Sequence, residues 1–278
     1  MVQTIRFTKM QGLGNDFVVI DAVTQTVALD TAKVRRLADR HYGVGCDQIL
    51  LVEPCDVPGF AFRYRIFNAD GSEVSQCGNG ARCFARFVRD KGLAAGDDID
   101  VLTAAGPMRL SLQSGGDVCV NMGIPVHAPE RIPLAMDYES RVYSIMLEDG
   151  SVSFGAVSMG NPHAVILVDS IDVAPVQQQG ALMESHRIFP ERANIGFMQI
   201  VNRQEVRLRV FERGAGETLA CGSGACAAMV VGRELGLLDE RVQVSLPGGR
   251  LVIEWSGRGQ PVFMTGPAET VFEGQINL

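Results

Sequence analysis

Cys77-Gly78-Asn79-Gly80-Ala81 recurs 144 residues later as Cys221-Gly222-Ser223-Gly224-Ala225 in a chain of 278 residues. Each copy follows an alternating apolar segment and precedes a helical pattern. Phe60, Phe62, Tyr64 and Ile66 alternate with Arg63 and Arg65, and Val206, Leu208 and Val210 alternate with Arg207 and Arg209. Both have the period of two that predicts a strand. After the first motif, Ala81, Phe84, Ala85 and Val88 fall at i, i+3, i+4 and i+7, a helical stripe that Gly92 can terminate. The second helix is expected from about Ala225 to near Gly236, and its Ala225, Ala227, Ala228 and Gly232 predict close, buried packing.

The repeat extends outward from these motifs. At the same offset, Arg65-Ile66-Phe67 matches Arg209-Val210-Phe211, Glu73 matches Glu217, and Gly92-Leu93 matches Gly236-Leu237. Upstream, Gly14-Asn15 echoes Gly160-Asn161, and Val44-Gly45-Cys46-Asp47-Gln48 echoes Ile195-Gly196-Phe197-Met198-Gln199. Downstream, Met122-Gly123-Ile124-Pro125 parallels Met264-Thr265-Gly266-Pro267. Echoes in one order predict two homologous α+β lobes. The first is expected over 1–121, with 267–278 completing it, and the second over 122–266; the Pro-rich stretch Pro125 to Pro133 marks the crossing.

Composition narrows the class. A formal net charge of −7 with no basic run argues against nucleic acid, and 46% hydrophobic residues suits a globular chain. The longest apolar stretches, such as Ala164 to Val168, are strand-sized, and Met1 to Met10 reads as neither signal peptide nor membrane span. Seven cysteines without small-scaffold spacing predict reduced thiols and a cytoplasmic location. Of the three lysines, Lys9, Lys33 and Lys91, none sits in a pattern expected of a pyridoxal-phosphate site.

A Cys at a strand-to-helix corner lies where free amides and the helix dipole can stabilise a thiolate. The same amides form a site for a carboxylate. Two such corners in homologous lobes suggest a proton-transfer sulfur on each face of one carbon, which is the equipment for inverting a stereocentre. A single such motif is more often a packed turn, and zinc pairs Cys77 with Cys83 or Cys221 with Cys226 have poor ligand spacing. Cys83 and Cys226 read as core residues, while Cys46, Cys55 and Cys119 carry no site signal.

The chain resembles the diaminopimelate epimerase family along its length. The resembling segments are Lys9-Met10-Gln11-Gly12-Leu13-Gly14-Asn15-Asp16-Phe17, Arg65 to Glu73 and Gln76 to Arg82 in the first half. In the second half they are Ser158-Met159-Gly160-Asn161-Pro162-His163, Glu191 to Phe197, Phe211 to Thr218 and the second Cys motif. The resemblance implies pseudo-symmetric lobes, each a β-barrel-like sheet around a central helix, with the active site in the cleft between them. It implies a cofactor-independent, metal-independent epimerase of LL- and meso-2,6-diaminopimelate on the route to lysine and peptidoglycan, and a homodimer. Cys77 and Cys221 are then the acid/base pair. Gly78, Asn79, Gly222 and Ser223 face the reacting carboxylate; Asn15, Gln48, Asn68, Asn161, Asn194, Glu212 and Arg213 hold the remaining polar groups. His163 either tunes a thiol or supports packing. Cys46 and Gln11 fill positions that vary in the family, and Phe272 stands where many members place a Tyr in the dimer contact. A proline- or hydroxyproline-type racemase gives Arg213 and the asparagines no purpose; a non-catalytic amino-acid binder would hold ligand without exchanging its α-proton.

Overall fold

The computed structural model describes residues 3–75, 77–147 and 150–278. By internal contacts the chain divides into two compact units, residues 1–120 with 266–278, and residues 121–265. Along the first run β1 (Thr4–Gly12), β2 (Asn15–Asp21), α1 (Thr31–Ala38), β3 (Gln48–Pro54), β4 (Phe62–Asn68), β5 (Glu73–Val74), α2 (Gly78–Asp90), β6 (Asp98–Thr103), β7 (Gly106–Leu112) and β8 (Val118–Asn121). The next strands are β9 (Tyr143–Leu147), β10 (Gly150–Ser158) and β11 (Pro162–Leu167), followed by α3 (Val176–Glu184), β12 (Asn194–Asn202), β13 (Glu205–Glu212) and β14 (Gly216–Thr218). Last come α4 (Gly222–Glu234), β15 (Arg241–Leu246), β16 (Gly249–Glu254), β17 (Phe263–Gly266) and β18 (Glu269–Asn277).

The two units have one topology. In the first, β18, β1, β2, β3, β4, β6, β7 and β8 neighbour one another in that order; the β2–β3 and β4–β6 pairs are parallel and the others antiparallel. In the second, β9, β10, β11, β12, β13, β15, β16 and β17 repeat the pattern, with β11–β12 and β13–β15 parallel. Short β5 and β14 pair with the C-terminal ends of β4 and β13. Each sheet wraps the helix that follows a Cys motif: α2 touches β1, β2, β3, β7 and β18, and α4 touches β10 to β13, β15 and β16. This is the α+β arrangement that the sequence pattern predicts, with the barrel-like sheets that the family resemblance implies.

Strands β2 and β3 are buried on both faces, as a parallel pair covered by helices must be. Val18, Ile20, Ile49 and Leu51 pack with Val34 and Leu37 of α1. The alternate residues Phe17 and Leu50, with Tyr64, surround Gly80 at the start of α2. Phe84 of α2 packs on Tyr64 and Phe62, with ring centroids 4.7 and 6.1 Å away. Cys83 and Cys226 are fully buried, as expected. Strand β4 begins at Phe62 and not at Phe60, because Phe60 N–H donates to the Val57 carbonyl in a turn.

Both central helices stop in the same way. Gly92 and Gly236 have φ of 67° and 74°, and their N–H groups donate to Arg89 and Arg233 carbonyls. Leu93 and Leu237 N–H groups reach back to Val88 and Gly232 carbonyls. These paired bonds form a Schellman cap, whose left-handed residue is favourable for glycine. Among the described residues no helix is long and apolar enough to cross a membrane.

The register corrects one sequence echo. Phe17 pairs with Gln48 and Gln48 with Asn68 in the first unit; His163 pairs with Asn194 and Ile195 with Phe211 in the second. Since Asn15 and Asn161 correspond, the counterpart of Gln48 is Asn194 and not Gln199. Gln199 instead accepts bonds from Ile171 N–H and Arg207, away from the strand end.

Close packing of α4 on β10 yields a test. A Cβ at Gly155 would lie 2.4 Å from Val231 Cγ1 and 2.9 Å from Cγ2, and a β-branched side chain has little freedom to withdraw. Gly155→Ala is expected to cost about 1–3 kcal/mol, read as a lower urea midpoint with unchanged m-value.

Candidate active site

Opposite strand directions bring the polar residues of each unit to one sheet edge. In the first unit β2 starts at Asn15, β3 starts at Gln48, and antiparallel β4 ends at Asn68. Gln48 Nε2 donates to Asn68 Oδ1 at 2.9 Å, and Asn68 Nδ2 donates to Ser72 Oγ at 3.1 Å. The buried Gln48 Oε1 has no hydrogen-bond partner, a costly state for a protein group that a ligand donor would relieve.

Helix α2 joins the same edge. Cys77 is its N-cap, with extended backbone, and its half-buried sulfur accepts from Gly80 N–H at 3.4 Å. Gly78 and Asn79 are the first two helical residues, and the buried Asn79 donates from Nδ2 to Asn15 Oδ1 at 3.3 Å. Gln76, which precedes this cap, lies outside the described residues.

The second unit repeats the placement with different chemistry. Asn161 precedes β11, Asn194 opens β12 and Glu212 closes β13. Cys221 is the N-cap of α4, followed by Gly222 and Ser223. Cys221 Sγ donates to Glu212 Oε2 at 2.9 Å, while Thr218 Oγ1 donates to Glu212 Oε1 at 2.5 Å. Ser223 Oγ lies 3.8 Å from the sulfur and accepts from Asn161 Nδ2 at 3.4 Å. With its Nδ2 so engaged, Asn161 presents Oδ1 to His163 Nε2 at 3.0 Å, so His163 carries its proton on Nε2.

Cys221 sits in an environment unlike that of a solvent-facing helix N-cap. Burial pushes its thiol well above the ordinary value, the Glu212 carboxylate pushes it further, and the Gly224 amide and Ser223 hydroxyl offset only part. A helix N-terminus lowers a thiol pKa where solvent can help to carry the charge; here only 3% of the residue is exposed. Cys221 is therefore a protonated thiol hydrogen-bonded to the Glu212 side chain. Burial, with help from Arg213, likewise lowers the His163 pKa to about 3, keeping the ring neutral near pH 7.

Asn194 holds the chain in shape. Its Nδ2 donates to the Pro162 carbonyl at 3.1 Å and its Oδ1 accepts from Arg213 N–H at 2.9 Å. The exposed Arg213 guanidinium donates to the Glu191 carbonyl at 3.0 Å. Two contributors escape a reading by motif. Buried Glu184 accepts from Gly214 N–H at 2.9 Å and from Arg192 at 3.2 Å, fixing the turn after Arg213. Thr218 holds one oxygen of Glu212 so that the other meets the thiol. Glu184 has no local signal, whereas Thr218 lies three residues before Cys221 within a resembling segment. Among the described residues no three His, Cys, Asp or Glu side chains group as a metal site.

Solved structures with this fold include a hydroxyproline epimerase from Agrobacterium vitis with bound trans-4-hydroxy-L-proline (TM-score 0.70, 14% identity, covering 99% of this chain and 93% of that one). A Bacillus anthracis PhzF-family phenazine biosynthesis protein has a TM-score of 0.69 at 16% identity, with 99% of both chains covered. The chain thus has the fold of these epimerase and PhzF-type proteins. Sequence gives the family. The diaminopimelate epimerase model matches residues 7–128 and 155–271. Diaminopimelate epimerases of Teredinibacter turnerae and Nitrosomonas europaea are each 58% identical over 274 residues, 99% of both chains. The chain belongs to the diaminopimelate epimerase family.

Two outcomes test the electrostatics. Glu212→Gln removes the charge that helps keep Cys221 protonated, so the pH at which Cys221 is alkylated by iodoacetamide should fall; an unchanged profile would leave burial as the sole cause. For His163, the unfolded chain binds a proton below 6.5 that the folded chain refuses until about pH 3. Stability should therefore fall with pH across that window, by up to about 1.4 kcal/mol per unit, and His163→Asn should flatten the slope in urea titrations.

Proposed function

We propose that this chain interconverts LL- and meso-2,6-diaminopimelate by a two-base mechanism in which Cys77 and Cys221 are the acid/base pair, acting from opposite faces of one α-carbon. The observation that carries the reading, beside family membership, is the Cys221–Glu212 pair at the start of α4, opposite in the repeat to Cys77 at the start of α2. In one direction a thiolate removes the α-proton and the other thiol supplies a proton to the opposite face. One proton leaves the substrate and one arrives, so total charge is conserved and the sulfurs exchange protonation states. Which sulfur is the base depends on the isomer bound. When Cys221 is the base, Glu212 accepts its thiol proton.

The carbanion is the demanding species. Amides of Gly78, Asn79, Gly222 and Ser223, with the dipoles of α2 and α4 behind them, would bind the reacting carboxylate where negative charge develops. No pyridoxal phosphate and no metal enter the scheme. Asn15, Gln48, Asn68, Asn161, Glu212 and Arg213 supply donors and acceptors for the amino groups and the distal carboxylate. The unsatisfied Gln48 Oε1 suits a substrate ammonium. Asn194 and His163 act through their neighbours, Asn194 by holding Arg213 and His163 by orienting Asn161.

We place the activity in the cytoplasm, in the supply of lysine and peptidoglycan precursors. The partner is a second copy of the chain, joined through β18. That strand exposes Val271 and Phe272, and Phe272 also packs edge-on against Phe7 with centroids 5.9 Å apart.

Proton NMR of LL-diaminopimelate in D2O with reduced protein and no added cofactor tests the reading. One α-proton signal should vanish as the meso isomer appears, the distal centre serving as internal control. Cys77→Ser and Cys221→Ser should each lower net epimerisation by about 10²-fold or more. Near-normal turnover in either variant would overturn the two-base scheme, and binding without exchange would make the chain an amino-acid binder.

A further inference from the structure

A chain of hydrogen bonds runs through the first unit from a buried cation to a carboxylate. Arg82, fully buried on α2, donates from Nε to the Pro267 carbonyl and from Nη1 to Asn79 Oδ1, both at 3.0 Å. Asn79 Nδ2 donates to Asn15 Oδ1 at 3.3 Å, and Asn15 Nδ2 donates to Asp47 Oδ2 at 2.8 Å. Asp47 Oδ2 also accepts from Asp16 N–H at 3.2 Å, and Asp47 N–H returns a bond to Asp16 Oδ1 at 2.9 Å.

The far end is tied down by ion pairs. Arg40 bridges the two carboxylates, its Nη2 lying 2.8 Å from Asp47 Oδ1 and 2.7 Å from Asp16 Oδ1, while its Nη1 donates to Asp16 Oδ2 at 2.9 Å. Buried Lys9 donates to Asp16 Oδ2 at 2.6 Å and to the Gly45 carbonyl. Burial opposes ionisation of Asp16, yet the bonds from Arg40 and Lys9 hold its carboxyl well below the usual carboxylate range.

An amide has a donor end and an acceptor end, and either can face a neutral partner. A guanidinium only donates and a carboxylate only accepts. Arg82 at one end and Asp47 at the other therefore fix the direction of every bond between them. Turning Asn15 over would set its carbonyl oxygen against the Asp47 carboxylate and its NH2 against that of Asn79.

We propose that Asp47 and Arg82 are positioning residues for the reaction: between them they lock the amide orientations of Asn15 and Asn79, so that Asn15 keeps its second N–H as a donor for the substrate. The proposal rests on the functional reading above, in which Asn15 and Asn79 bind substrate. It assigns a task to two residues that touch the ligand only through those asparagines. The second unit orients Asn161 by other means, with Ser223 on its NH2 and His163 on its oxygen.

Asp47 is the first variant to make, since its half-exposed side chain can be changed without opening the core. Asp47→Asn keeps the shape but lets either end of Asn15 face position 47. The expected result is a KM for LL-diaminopimelate raised about tenfold, the loss of one bond to a charged partner, with kcat within about twofold and an unchanged thermal midpoint. In 15N-labelled protein, the Asn15 side-chain amide hydrogens, assigned with Asn15→Asp, should lose exchange protection in Asp47→Asn. Arg82→Lys, which keeps a buried donor, should retain more of that protection than Arg82→Met. A wild-type KM together with wild-type Asn15 protection in Asp47→Asn would overturn the proposal. If the wild-type chain turns over no diaminopimelate while Asn15 protection still depends on Asp47, the functional reading falls and the locking of the amides is supported.

Discussion

Each unit wraps a sheet around a helix whose first turn carries backbone N–H groups that no residue of the helix can satisfy, and the site follows from how those groups are met. Ordinary helices begin at the surface, where water serves. Here Asn79, Gly80, Gly222 and Gly224 are buried, so partners must come from the cap residue, from strand ends or from a ligand. Cysteine caps weakly, since sulfur is a poor acceptor compared with the Ser, Asp or Asn that usually fill this position. A weak cap at a buried helix start leaves donor capacity for a carboxylate, at a stability cost that the fully buried apolar face of each helix offsets.

The same scaffold holds two dissimilar half-sites. Around Cys77 the neighbours are amides locked between Arg82 and Asp47. Around Cys221 they are a carboxylate, two hydroxyls and a neutral imidazole reached through Asn161. At the register position where the first unit has Asn68 the second has Glu212, and where the first has Phe17 the second has His163. The first of these substitutions places a carboxylate beside the Cys221 sulfur, and the second places an imidazole on Asn161. The symmetry is in the backbone, and the chemical difference lies in a few side chains at strand ends.

Strand period, the helical stripe, Gly92 and Gly236 as stops, and the duplicated Cys corner were all legible because each depends on local spacing. The family resemblance pointed to Asn15, Asn161 and Glu212, which the structure places at or beside the ends of strands. The echo of Gln48 with Gln199 misled, because similar apolar runs can be slid along one another and only the pairing of β11 with β12 fixes the alignment on Asn194. The protonation of Cys221 was not legible for a related reason: a helix N-terminus is visible in sequence, but the depth of burial and the approach of Glu212 depend on how β13 and α4 pack. Arg82 stood in the motif without a task, since its partners Asn79 and Pro267 are brought together by the return of the chain into the first unit.

A raised thiol pKa looks unfavourable for a base, yet it suits the reaction proposed. The α-proton of an amino acid is far less acidic than a thiol, and a thiolate with a lowered pKa would be a still weaker base for it. Raising the pKa narrows that gap and strengthens the base, while reducing the fraction present as thiolate. In the proposed mechanism Glu212, 2.9 Å from the sulfur, accepts the thiol proton, which thus moves to an adjacent oxygen without entering bulk water. The transfer separates little charge in a site where separated charge is costly, and it keeps the pair's net charge constant. In that scheme burial and the carboxylate both raise the Cys221 pKa and so strengthen the base, and the same carboxylate receives the proton that must leave before the thiolate can act.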